Sequence, residues 1–95
     1  MSYSLAFVES ALKEWQKLAP PIRDQFKRKL AERLERPDVP SARLHNLRDC
    51  YKIKLRTAGY RLVYQVDEQV VAVTVIAVGR RDKGAVYKTT RQRVE

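Results

Sequence analysis

From Tyr51 to Arg56 apolar and cationic residues alternate without a break, Tyr51, Ile53 and Leu55 against Lys52, Lys54 and Arg56, and this stretch constrains the fold more than any other. Side chains leave a strand on alternate sides, so one face of it must be covered and the other presents positive charge alone. Thr57, Ala58 and Gly59 read as a hairpin turn. Tyr60 to Val66 then repeats the alternation, with Tyr60, Leu62, Tyr64 and Val66 against Arg61, Val63 and Gln65. Asp67, Glu68 and Gln69 turn once more into Val70 to Val78, a nearly continuous β-branched run that suits a central strand or one covered on both faces. The three segments form an antiparallel meander.

The cover for the apolar face lies upstream. Tyr3 to Val8 is a short strand candidate, and from Ser10 onward Ala11, Leu12, Trp15, Leu18 and Ala19 recur at helical spacing. Pro20 and Pro21 end that helix, and Pro21 suits the first position of a second one, where its missing amide would have no partner anyway. Ile22, Phe26, Leu30 and Leu34 form the stripe of this second helix, which must end by Arg36 because Pro37 follows. Residues 37 to 49 form a connecting loop pinned by Leu44 and Leu47. Beyond Gly79, Ala85, Val86 and Val94 are sparse among charges, so a short, weakly docked and mobile C-terminal helix is expected. The fold class is α+β: an antiparallel sheet of about four strands with two antiparallel helices on one face, in a single domain spanning residues 1–95.

Charge narrows the function. The net charge is +9, and its distribution is uneven: residues 1 to 42 contribute an excess of +2 and residues 43 to 95 an excess of +7. The second half is therefore the side expected to meet a polyanion. One cysteine, Cys50, and one histidine, His45, offer neither a disulfide nor a metal-ligand pattern, and no metal or cofactor is expected. The apolar run from Val70 to Val78 is far short of a membrane span, and the N-terminus lacks a signal-peptide layout, so a cytoplasmic protein without membrane contact is expected.

Lys52 and Lys54 leave one strand on the same side roughly 7 Å apart, and Arg61 on the neighbouring strand adds a third cation with no carboxylate in the pattern to offset it. A bound phosphate would relieve that repulsion. Arg81 follows the last strand and, by parity with Val73, Val75 and Ala77, extends one face of it; Tyr87 comes shortly after. An aromatic ring beside clustered cations is what a single-stranded RNA site requires. Metal-free RNA cleavage needs a base for the 2′-hydroxyl, charge stabilisation at phosphorus and neutralisation of the leaving oxygen. Here Lys, Arg and Tyr must supply these functions, and neighbouring cations lower a lysine pKa, which makes Lys52 or Lys54 the candidate base.

LKEWQKL from Leu12 to Leu18, CYKIKLRTAGYRLVYQV from Cys50 to Val66 and VGRRDKGAVY from Val78 to Tyr87 together resemble the RelE family of bacterial toxins, over nearly the whole chain. The resemblance implies an RNase that enters the ribosomal A site and cleaves mRNA by 2′-hydroxyl attack, leaving a 2′,3′-cyclic phosphate. It also implies the residue roles: Lys54 as base, Lys52 binding phosphate, Arg61 stabilising the transition state, Arg81 serving the leaving oxygen and Tyr87 stacking on the nucleotide. A RelB-type antitoxin is implied as partner, with DNA binding indirect, through that partner.

Lys27, Arg28, Lys29 and Arg33 on the second helix, with Arg56, Arg80 and Lys83, are candidate contacts to RNA or ribosome, against the plainer reading of a solvated basic surface. Trp15, Tyr51, Tyr60 and Tyr64 read as packing residues, and Cys50 and His45 as incidental. Two rival functions remain: a ParE-like gyrase inhibitor of the same fold, and a non-catalytic RNA- or ribosome-binding module. Neither needs the set Lys52, Lys54, Arg61, Arg81 and Tyr87.

Overall fold

In the computed structural model, which describes residues 2–94, strand β1 (Ser4–Phe7) runs into helix α1 (Glu9–Gln16) and helix α2 (Pro20–Glu35). A 3₁₀ turn (Pro40–Ala42) leads to β2 (Cys50–Leu55), β3 (Tyr60–Asp67), β4 (Ala72–Arg80) and helix α3 (Ala85–Val94). The strands form one sheet in the order β1-β4-β3-β2. The meander is antiparallel as its pattern requires, with Ile53 opposite Leu62 and Lys54 opposite Arg61.

The sheet is not antiparallel throughout: β1 adds to β4 in parallel, Phe7 opposite Val75. The chain leaves β1 through two helices and a loop, enters β2 in the same direction at the far edge of the sheet, and two antiparallel turns then bring β4 alongside β1 in parallel, which a tight hairpin from β1 cannot do. The helices differ from expectation at their ends. Pro20, not Pro21, takes the first helical position of α2, and Ala19 before it is extended (ψ 143°), as a residue preceding proline prefers. That junction stops α1 at Gln16, short of Ala19, and leaves the stripe to Ala11, Trp15 and Leu18, while Leu12 is exposed. Strand β4 begins at Ala72, not Val70, because Asp67 Oδ1 accepts from the amides of Gln69 and Val70, and Val71 takes a left-handed φ of 52° to close the turn.

The main core lies between the sheet and helices α1 and α2. Trp15 sits between Phe7 and Phe26, with ring centroids 5.3 and 6.3 Å away, over Val73, Val75 and Val78 of β4 and the inward residues of β2 and β3. Tyr51 and Tyr64 stack across the β2–β3 pair at 5.7 Å. The Tyr64 hydroxyl donates to the carbonyl of Pro37 (2.6 Å) and accepts from Arg33 Nη1 (2.9 Å), so a buried phenol ties the end of α2 to the sheet.

A second, smaller core occupies the other face, where Cys50, Val63, Ala77 and Leu47 meet Val86 of α3. Here the structure corrects the expectation of a weakly docked terminus. Thr90 is fully buried, and Arg93 donates to Ile76 O (2.7 Å) and to both carboxylate oxygens of Glu14 (2.8 and 3.1 Å). Val86, Thr90 and Arg93 lie four and three residues apart, a docking stripe that counts of aliphatic residues overlook because two of its members are polar.

Tyr64→Phe removes one hydroxyl and leaves a buried carbonyl and a guanidinium donor short of a partner. It should lower unfolding free energy by about 1–3 kcal/mol, read as a lower urea midpoint with an unchanged slope.

Candidate nuclease site

The cationic face of the meander needs one irregularity to be complete. Val63 pairs with Ala77 and Tyr64 with Val75, so Ile76 has no partner on β3 and β4 is bulged there. The bulge reverses the alternation: Val73 and Val75 face the main core, as does Val78, whereas Ala77 joins the opposite core. Arg81 therefore shares a face with Ala77 and Gly79, not with Val73 and Val75 as a regular strand would have it. Gly79 stands opposite Arg61, on the side that carries Lys54.

On this face a cleft of about 320 Å³ is lined by Lys54, Arg61, Arg80, Arg81, Lys83 and Tyr87, with Asp82 as its one carboxylate. Lys54 and Arg61 are cross-strand partners. The Arg81 amide donates to Gly59 O at 2.6 Å, which extends the β3–β4 pairing past the formal strand end and fixes the backbone that carries the guanidinium. Gly59 turns the hairpin at φ 73°, a conformation glycine adopts at little cost. Gly79 favours close approach: a Cβ there would lie 3.2 Å from Val86 Cγ2, tighter than ordinary contact, so its bareness lets α3 settle on β4 with Tyr87 at the rim.

Lys52 lines a neighbouring cleft of about 300 Å³ with Lys29, Arg33, Arg56 and Lys54, so Lys54 is common to both. Lys27 and Arg28 are exposed on α2 and line neither cleft. Arg33 donates to Lys52 O (3.1 Å) and to the Tyr64 hydroxyl, which commits it to holding β2 against α2. Arg80 lies over the Tyr60 ring at 5.6 Å. Among the described residues, none of Lys52, Lys54, Arg61 and Arg81 has a carboxylate within ion-pair distance.

That crowding has a chemical effect. Lys52 holds the Lys54 ammonium below the ordinary lysine range, partial desolvation adds to the shift, and Arg61 and Arg56 push the same way. The site thus gathers a lysine whose neighbours favour its neutral form, arginines without a carboxylate at ion-pair distance and an aromatic ring beside them. Cys50, at the start of β2 and buried in the smaller core on this same face, is no nucleophile: burial raises its pKa to about 11, with Asp49 adding to the shift. A third cleft of about 430 Å³ lies beyond Tyr87, between His45 and Asn46 of the loop and Lys88 and Arg91 of α3. Sequence spacing gave no sign of it, because its walls come from segments 40 residues apart.

Residues 5–84 match the family model of the ParE toxin of type II toxin-antitoxin systems, parDE. The chain is 51% identical over 94 residues to the mRNA interferase toxin RelE of Escherichia coli and to the mRNA interferase RelE of Shigella flexneri, with 99% of each chain covered in both comparisons. A doubly substituted E. coli toxin RelE in the free state superposes over the whole of both chains with a TM-score of 0.92 at 49% identity. RelE from the intact E. coli RelBE toxin-antitoxin complex covers 86% of this chain and 100% of its own, with a TM-score of 0.83 at 52% identity. The family match, the full-length identity and the superposition agree with one another: this chain belongs to the RelE toxins of the RelE/ParE family.

Proposed function

We propose that residues 1–95 act as one RelE-like toxin domain, a cytoplasmic endoribonuclease that cleaves mRNA in the A site of the ribosome and is neutralised by a RelB-type antitoxin. The observation that carries this reading is the uncompensated set Lys54, Arg61 and Arg81 around one cleft with Tyr87 at its edge, adjoined by Lys52. Lys54 takes the proton of a 2′-hydroxyl, whose oxygen attacks the adjacent phosphorus. The bond to the 5′ oxygen breaks, giving a 2′,3′-cyclic phosphate and a 5′-hydroxyl. Lys52 and Arg61 hold the phosphate and the charge it gains, Arg81 gives the leaving 5′ oxygen the proton that makes it a hydroxyl, and Tyr87 stacks on the base to align the attack.

Lys29 and Arg56 continue the positive surface beside Lys52 and are the best placed of the remaining cations to meet ribosomal RNA. An antitoxin with an acidic, extended segment would neutralise the same surface, and any DNA binding by the pair would come through that partner. The family model's ParE description favours one rival, a gyrase inhibitor of the same fold. Such a protein has no use for a depressed Lys54 facing Arg61.

Primer extension on programmed ribosomes with an empty A site tests this reading. Wild type should cut within the A-site codon and leave the same messenger intact without ribosomes. Intact messenger in both, with loss of gyrase supercoiling, would establish the rival. Arg81→Ala and Tyr87→Ala should each keep ribosome affinity within about twofold while lowering single-turnover cleavage by about 100-fold or more.

The pH profile tests the assignment of the base. Lys54 acts in its neutral form, and positive neighbours favour that form, so Lys52→Gln removes the largest cause of the shift and lets the Lys54 pKa rise. At any pH below that value the neutral fraction falls, and the ascending limb of the single-turnover rate should move to higher pH. A limb that vanishes, leaving a low rate independent of pH, would assign Lys52 and not Lys54 as the base.

A further inference from the structure

We infer that Glu14 and Arg93, two residues outside the cleft, form a latch that positions Tyr87 for cleavage. This inference rests on the ribonuclease reading above for its effect on rate. The geometry begins with β4. Beyond Val75 that strand has no neighbour on its β1 side, because β1 ends at Phe7 and the chain turns into α1. Two backbone groups of this stretch find side chains instead. The Val78 amide donates to Glu14 Oε1 (3.1 Å), and Ile76 O accepts from Arg93 Nη1 (2.7 Å). Arg93 and Glu14 then join each other through both terminal guanidinium nitrogens, Nη1 and Nη2. Three elements, α1, β4 and α3, meet at one partly buried knot around the bulge that gives the cationic face its register.

The knot has a fixed polarity. Position 14 must accept from an amide and position 93 must donate to a carbonyl, so the pair is built into the backbone of β4 and is more than a surface ion pair. Its bearing on Tyr87 follows from α3. That helix touches the sheet through Val86, packed on Gly79, and Thr90, and the latch closes the same stripe at Arg93. Tyr87 follows Val86 directly and lies beside the stripe, half-buried, facing the cleft. Arg93 is six residues further along, roughly 9 Å down the helix axis. Val86 and Thr90 hold the first two turns and Val94 packs on the smaller core, so loss of the latch frees the last turn and lets the helix rock about Thr90, carrying the ring with it. With its far end tied to α1 and β4, the ring stays where a base must stack.

Arg93→Ala should leave ribosome affinity within about twofold and lower single-turnover cleavage about tenfold, since misplacement of an orienting group costs rate before it costs binding. Glu14→Gln keeps an acceptor for the Val78 amide and the shape of α1 but loses the charge pair. It should show the same split at smaller size, and it serves if Arg93→Ala does not fold. Positioning is separated from general destabilisation by a cycle with Tyr87→Ala: each latch variant should lower cleavage no further in that background. An equal loss with and without Tyr87 would overturn the inference. Amide hydrogen exchange over Ala85–Val94 provides a readout that does not depend on activity. Exchange there should quicken about tenfold in the latch variants and hold in β2 and β3. Unchanged exchange in α3 would overturn the latch whether or not the wild type cuts RNA, while an inactive wild type with quickened exchange in the variants would sink the ribonuclease reading alone.

Discussion

The unpaired residue Ile76 is the constraint on which the working face depends. A regular β4 would keep Val73, Val75, Ala77 and Arg81 on one side of the sheet, and the arginine would then point toward helices α1 and α2. With one residue inserted, the first half of the strand packs under the helices and the second half turns Ala77 and Gly79 to the cationic side. A bulge of this kind costs a ladder hydrogen bond and is retained where it re-aims a side chain. Here it serves two cores at once. The main core keeps Val78 after the shift, and the smaller one gains Ala77 beneath Val86.

The meander was legible because both of its faces were written in residue chemistry. Lys52, Lys54 and Arg61 alternate with aliphatics and aromatics at a spacing that no helix accommodates, and their convergence follows from strand geometry alone. The helical pair was legible for the same reason, apart from its junction, where two consecutive prolines left the first helical position open between Pro20 and Pro21. The bulge was not legible. Val70 to Val78 is β-branched on both parities, so the sequence carries no mark of where the alternation slips, and the turn's demand for a left-handed Val71 is equally unmarked. Helix α3 was underrated because its docking rests on Thr90 and Arg93. A threonine becomes a core residue only when its hydroxyl finds a backbone acceptor, here Val86 O at 2.8 Å, and an arginine only when its donors are met.

Family resemblance and geometry carry different parts of the functional reading. Resemblance names the set Lys52, Lys54, Arg61, Arg81 and Tyr87 and assigns each a role; the structure divides the set between two adjoining clefts that share Lys54. That division bears on the chemistry. The residue best placed to lose a proton is the one with cations on three sides, and each of those neighbours is also free to meet a phosphate. Arg33, which charge alone would group with them, is drawn away by a buried phenol and a strand carbonyl. Counting basic residues therefore overstates the binding surface, and hydrogen-bond partners correct the count.

A site made of like charges poses a problem of stability that the rest of the fold resolves. Repulsion among Lys52, Lys54 and Arg61 works against the β2–β3 pairing that displays them. The opposite face of that same pair compensates, with Tyr51 stacked on Tyr64, Ile53 against Leu62 and the Tyr64 hydroxyl bound to Pro37 and Arg33. The hairpin is held from below by apolar contact and a satisfied phenol, forces that do not weaken when its upper face is left without counter-ions. Repulsion that packing has already offset is available to be released when a polyanion arrives. The unpaired cations that make the free face costly are thus the same feature that holds the Lys54 ammonium below the ordinary lysine range.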